Sequence, residues 1–303
     1  MTKTAWVFPG QGSQKIGMGA DLANCPEART KLEQAQEILG WSVLEVCQDE
    51  DDKVSSTLYT QPCLYVVESL LADLLMAQGQ SPELLAGHSL GEYVALYTAG
   101  VFDFAAGLHL VKRRSELMAD VSGGASGRSS GGAMAALMGF DRAELDDKIA
   151  ATAGVVLAND NSLGQVVISG TVAAVETVMQ GVKAKRAVRL NVSGAFHSPL
   201  MAPAAREFQQ VLDAVEFQSA QIPVLSNVDP TPSTDAVTLK QRLSQQMTGT
   251  VRWREISLFL PEAGIEQVVE IGPGNVLTGL IKRTCKELQL VNISSVGQIF
   301  NGR

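Results

Sequence analysis

The 303-residue sequence is short of several things, and each shortage narrows what it can be. It has no run of ~18 apolar residues, so no membrane-spanning helix is expected. Its N-terminus, MTKTAWVFPGQG, lacks the apolar centre of a signal peptide. Only four cysteines occur, Cys25, Cys47, Cys63 and Cys285, scattered and without a C-x-x-C pair. They read as reduced packing residues of a cytoplasmic protein, with no metal site expected. Positive charge is in deficit: 24 Lys and Arg against 32 Asp and Glu leave a net charge of −8. That argues against nucleic acid as a partner. Lys112, Arg113, Lys183, Lys185, Arg186, Lys282, Arg283 and Lys286 could still form a local patch for an acidic partner. A solvated mixed surface is the plainer reading of any one of them. Histidine is scarce too, with three in the chain, so a catalytic base has few places to be.

What is there reads as α/β. TAWVFPG (4–10) predicts a strand entering a Gly/Pro turn, and QPCLYVVESLLADLLMAQG (61–79) a buried helix. ELLAGHS (83–89) predicts a strand, with a helix from Gly91 to Thr98. VVEIGPG (268–274) predicts a third strand, with a helix over 275–283. This alternation points to a mainly parallel sheet. The middle of the chain differs. Beyond the loop SGGASGRSSGG (122–132), which is expected to be mobile, strands and helices follow in the order β-α-β-β-α-β, the ferredoxin-like pattern. A ferredoxin-like subdomain over 128–192 is therefore expected as an insert in a larger α/β-hydrolase-like domain made of 1–127 and 193–303. The cleft between two such units is a natural ligand site.

The chemistry centres on AGHSLGEY (86–93). Gly87-His88-Ser89-Leu90-Gly91 is a G-x-S-x-G pattern between a strand and a helix, where a sharp turn exposes a nucleophilic serine. The amide of Leu90 would then face the developing oxyanion. His88 adjoins Ser89 in a strand-like segment, where successive side chains point to opposite faces, so it is a poor base for its neighbour. His109 falls on the polar side of the helix 103–119, with Arg113 and Glu116. By elimination His197, in SGAFHSPLM, is the candidate general base. The same wheel places Arg114 inside the apolar face, between Val111 and Met118. A buried arginine needs a partner. It has either an internal salt bridge, or a head group that snorkels to water, or a ligand carboxylate to receive. In FPGQGSQ (8–14), Gln11 sits between two glycines, where backbone amides can approach a ligand.

These motifs together resemble one family. FPGQGSQ, TQP at 60–62, GHSLGEY, KRRSELM at 112–118, NSLGQVVISG at 161–170, GAFHSPLM at 194–201 and EIGPG at 270–274 match, in order and spacing, the malonyl-CoA:acyl carrier protein transacylases. The sequence is also similar to free-standing acyltransferases that serve polyketide synthases. The resemblance implies that Ser89 is acylated and His197 is its base, with the amides of Gln11 and Leu90 as the oxyanion hole. It implies that the Gln246 backbone carbonyl holds the histidine and that Arg114 grips the malonyl carboxylate. Gln61, Asn159 and Gln165 are implied to lie near the acyl site. Phe196, just before His197, would narrow the space for a methyl branch. Malonyl-CoA and an acyl carrier protein are the implied partners, in fatty acid or polyketide synthesis, with no cofactor and a monomeric enzyme. A proofreading-type thioester hydrolase using the same serine is the alternative.

Overall fold

The computed structural model describes residues 2–121, 131–192 and 194–300. The loop expected to be mobile, and both expected subdomain boundaries, involve residues outside that range. The described chain builds two sheets. The larger comprises β1 (Thr4–Phe8), β2 (Leu84–Gly87), β7 (Val224–Leu225), β8 (Gln267–Ile271) and β9 (Gln289–Ile293), all parallel, in the order β7-β2-β1-β8-β9. The smaller comprises β3 (Gly132–Phe140), β4 (Val155–Ser162), β5 (Gln165–Thr171) and β6 (Ala184–Arg189), antiparallel, in the order β4-β5-β3-β6. Helices Arg142–Ala150 and Val172–Gly181 complete the smaller unit in the order read from the sequence.

Alternation along β1 divides the core. Trp6 and Phe8 enter the apolar cluster on one face of the large sheet, and Ala5 and Val7 enter the cluster on the other. The helix Thr57–Ala77 is apolar on nearly every side and buried accordingly. It starts one turn before the predicted Gln61, because Thr60 already finds buried acceptors in the carbonyls of Val54 and Ser56. The helix Phe104–Val121 follows the predicted wheel, with Leu108, Val111, Arg114 and Met118 buried and His109 exposed. Helices Pro26–Leu39, Ala236–Gln246 and Trp253–Glu262 were not anticipated from the sequence.

Topology gathers the glycine turns. Phe8 pairs with Gly87, and Val7 with Glu270, so FPGQG, GHSLG and EIGPG leave three adjacent parallel strands at the same edge. That carboxyl edge is where α/β sheets hold ligands. The small sheet docks above it through β4. Val251 N–H donates to Ala158 O at 2.8 Å, and Asp160 N–H donates to Val251 O at 2.9 Å. The buried Asp160 carboxylate pairs with Arg254 of the large unit and Arg142 of the small one, each at 3.0 Å. Of the basic residues that could form a patch, Lys112 and Arg113 lie on the helix Phe104–Val121, Lys185 and Arg186 on β6, and Lys282 and Arg283 on the helix Val276–Thr284. Lys112 donates to Ile38 O, and Arg113 pairs with Glu116 and Glu207. All four cysteines are free and buried, and no helix among the described residues is long and apolar enough to cross a membrane.

Candidate active site

The serine turn is built by close approach. A Cβ on Gly87 would lie 1.9 Å from the carbonyl carbon of Gly91, and one on Gly91 would lie 2.0 Å from Phe8 O. Glycine is therefore required on both sides of Ser89, where the chain folds back on itself. Ser89 itself has φ 53°, a left-handed conformation that costs of order 1–3 kcal/mol for a non-glycine residue. Asn227, two residues beyond β7, holds it there. Its Oδ1 accepts from Ser89 N–H at 2.7 Å and its Nδ2 donates to Gly87 O at 2.6 Å.

The strand ends at Gly87, so the side-chain alternation invoked to rule out His88 does not extend to Ser89. His88 is occupied elsewhere. Its Nε2 lies 2.9 Å from Asn161 Oδ1 on β4, and its ring packs 5.6 Å from that of Trp253. His197 takes the serine: Nε2 is 2.8 Å from Ser89 Oγ, across 108 positions of sequence. Its Nδ1 is 2.9 Å from Gln246 O. A carbonyl can only accept, so Nδ1 carries the proton and Nε2 is left to accept from the hydroxyl. Burial, then the charge of Arg114, lowers the His197 pKa from 6.5 to about 3, so the ring is neutral at physiological pH.

Arg114 is 1% exposed, which removes the snorkelling reading. The salt-bridge reading fails as well. Among the described residues no carboxylate lies within ion-pair distance of Arg114. Its donors instead go to neutral oxygens: Nη1 to Gln61 Oε1 at 2.6 Å, and Nη2 to Ser89 Oγ at 3.0 Å and Gln246 Oε1 at 3.1 Å. Its Nε is buried without a hydrogen-bond partner, and the guanidinium carbon lies 5.4 Å from the centre of the Tyr93 ring. Burial pulls its pKa down, against the raising influence of Tyr93 and Glu92. The result is a desolvated cation whose Nη2 is aimed at Ser89 Oγ.

Ser89, His197 and Arg114 line a cavity of about 180 Å³ between the two sheets. Gln11, Leu90, Phe196, Asn159 and Gln165 line it too, as do Met134 and Val167 of the small sheet. Gln61 and Gln246 stand behind Arg114 rather than at the cavity wall. Gln165 also accepts from Arg283 at 2.8 Å, which ties β5 to the helix Val276–Thr284. Asn227, Glu92 and Asn161 were not singled out from the sequence. Their partners lie 138, 154 and 73 positions away, beyond the reach of any local pattern.

Comparison with known proteins identifies the family. The family model described as "Acyl transferase domain" matches residues 5–300. The malonyl CoA-acyl carrier protein transacylase of Synechocystis sp. is 57% identical over 297 residues, covering 98% of this chain and 99% of that protein. Its counterpart in Bacillus subtilis is 38% identical over 303 residues, covering 97% and 94%. The crystal structure of a Synechocystis transacylase superposes with a TM-score of 0.94 at 56% identity, covering 99% and 100%. A malonyl-transacylase solved with its type II polyketide-synthase acyl-carrier protein superposes with a TM-score of 0.92 at 37% identity, covering 99% and 98%.

Proposed function

This chain belongs to the acyl transferase family, and on that premise we propose that it is an acyl carrier protein S-malonyltransferase, moving malonyl from malonyl-CoA to a carrier phosphopantetheine thiol. The observation that carries the reading is a single oxygen with two partners. Ser89 Oγ meets the general base His197 at 2.8 Å and the buried cation Arg114 at 3.0 Å. A base makes the serine a nucleophile, and a desolvated guanidinium beside it selects an acyl group that ends in a carboxylate.

The proposed reaction is ping-pong. Ser89 Oγ attacks the thioester carbonyl carbon as its proton passes to His197 Nε2. The amides of Gln11 and Leu90 receive the oxyanion. Collapse breaks the C–S bond, coenzyme A leaves with the proton from His197, and a malonyl-Ser89 ester remains. The carrier thiol then gives its proton to His197 and attacks the ester carbonyl. The C–O bond breaks, and Ser89 regains its proton. Arg114 does more than grip. Its charge is one cause of the low pKa of His197, so a carboxylate bound there offsets that charge and makes His197 a stronger base when the fitting substrate is present. No metal or redox cofactor enters any step of the proposed reaction.

We read the large unit as α/β-hydrolase-like and the small one, 128–192, as a ferredoxin-like lid whose Asn159 and Gln165 close the acyl site. Phe196 is assigned the narrowing of the space around the acyl α-carbon. Thioester hydrolysis has no comparable observation in its favour. The test is a comparison of malonyl-CoA turnover with and without holo acyl carrier protein. Transfer to the carrier far faster than loss to water supports the assignment, and equal rates would assign a hydrolase instead.

A further inference from the structure

Glu92 belongs to the GHSLGEY segment yet stands apart from the cavity wall. Its side chain is fully buried in the first turn of the helix Gly91–Thr98. Glu92 Oε2 accepts from Gln246 Nε2 at 2.7 Å and from the Asn227 backbone N–H at 3.2 Å. Gln246 Nε2 also donates to Ser89 O at 2.7 Å. Both amide protons of Gln246 are therefore used on atoms that accept. Its Oε1 is left facing Arg114 Nη2 at 3.1 Å, and a guanidinium can only donate. Were the Gln246 amide inverted, its NH₂ would face the NH₂ of Arg114, and its oxygen would face an acceptor. The carboxylate at 92 and the Ser89 carbonyl together oppose that arrangement.

The spacing has a further consequence. A carboxylate in direct contact with Arg114 would form an ion pair and occupy the guanidinium that an incoming carboxylate needs. Glu92 is instead set one amide away. It supplies negative charge near the buried cation and leaves the fork open. Gln246 thus transmits the position of Glu92 to Arg114, while its backbone carbonyl independently holds His197.

We propose that Glu92 is a positioning residue for acyl selectivity: together with Ser89 O it fixes the orientation of the Gln246 amide and so holds Arg114 aimed at Ser89 without occupying it. This rests on the reading that Arg114 receives the malonyl carboxylate.

The test compares first-turnover loading of Ser89 by malonyl-CoA and by acetyl-CoA in the full-length protein. Glu92→Gln keeps the size but removes the charge and adds a donor, leaving Ser89 O as the only acceptor that still holds Gln246 Nε2 against Arg114. The malonyl-to-acetyl ratio of kcat/KM is expected to fall at least about tenfold, the worth of one charge-assisted hydrogen bond, through KM for malonyl-CoA. Acetyl loading is expected to be nearly unchanged, and Glu92→Asp is expected to restore part of the ratio. Should Glu92→Gln not fold, Glu92→Asp decides: it withdraws the carboxylate from Gln246 Nε2 by one methylene, and the ratio is expected to fall part of the way. Parallel loss of both substrates with a lowered unfolding midpoint would overturn the proposal in favour of a purely structural Glu92. An unchanged ratio in either variant would overturn it too. A wild-type protein without malonyl preference would overturn the reading of Arg114 and this inference with it. A preference that survives Glu92→Gln overturns this inference alone.

Discussion

Replacing Arg114 by alanine separates what this residue does for one substrate from what it does for all. In the folded protein the guanidinium is 1% exposed and bonded to neutral oxygens alone, with Nε unused. A malonyl carboxylate entering the cavity would complete a desolvated, charge-assisted pair. Removing one partner of such a pair costs about 3–5 kcal/mol, because the other charge is left buried and uncompensated. At 1.36 kcal/mol per factor of ten, kcat/KM for malonyl-CoA should fall by roughly two to three and a half orders of magnitude. Acetyl-CoA brings no carboxylate and is spared that loss. The contact from Arg114 to Ser89 Oγ is lost for both substrates and cancels in their ratio. The assay is rapid-quench labelling of the protein by radiolabelled malonyl-CoA and acetyl-CoA in parallel. The expected result is a collapse of the malonyl-to-acetyl ratio with acetyl loading retained or increased. A variant that loses both activities equally, or keeps its malonyl preference, would refute the role of Arg114 as a carboxylate fork.

Further outcomes follow from the same geometry. Burial and the charge of Arg114 lower the pKa of His197 to about 3, so the acid limb of kcat/KM in the free enzyme should lie well below pH 6.5, and a limb near 6.5 would contradict that lowering. The same shift is a statement about stability. Between pH 6.5 and about 3 the unfolded chain takes a proton that the folded one refuses, so unfolding free energy should decline as pH falls through that window. His197→Gln should flatten part of that decline in urea titrations. Asn227→Ala removes the two hydrogen bonds that hold Ser89 at φ 53°, and should cost about 2–3 kcal/mol in urea unfolding and slow acylation by either CoA ester. Phe196→Ser should raise relative use of methylmalonyl-CoA by about tenfold or more, within the 1–3 kcal/mol that one methyl is worth, as read in a competition between the two thioesters.

The serine turn was legible because its demands are local. Gly87 and Gly91 must lack side chains for the chain to fold back, and that requirement is written at fixed spacing. Arg114 was legible because a charge on the apolar side of a helix breaks a periodic pattern. What satisfied it was not legible. Of the partners left open for it, neither a salt bridge nor exposure to water was found among the described residues; two glutamines and a serine surround it, brought together from 53, 132 and 25 positions away. His88 was rightly set aside, but the strand geometry used to do so ends at Gly87. The left-handed turn at Ser89 and the pull of Asn161 do that work instead. Asn227 carries no local signature at all. Its importance arises only when β7 pairs with β2, bringing the segment after one strand beside the turn after the other.

The acyl-enzyme is the most direct point of attack. The protein is incubated with labelled malonyl-CoA, with no carrier present, quenched in acid and digested, and the modified peptide is located by mass spectrometry. One malonyl ester on Ser89, absent from Ser89→Ala and discharged on addition of holo acyl carrier protein, is the predicted result. Carrier malonylation that proceeds with no adduct on Ser89, or with the adduct on another residue, would contradict it.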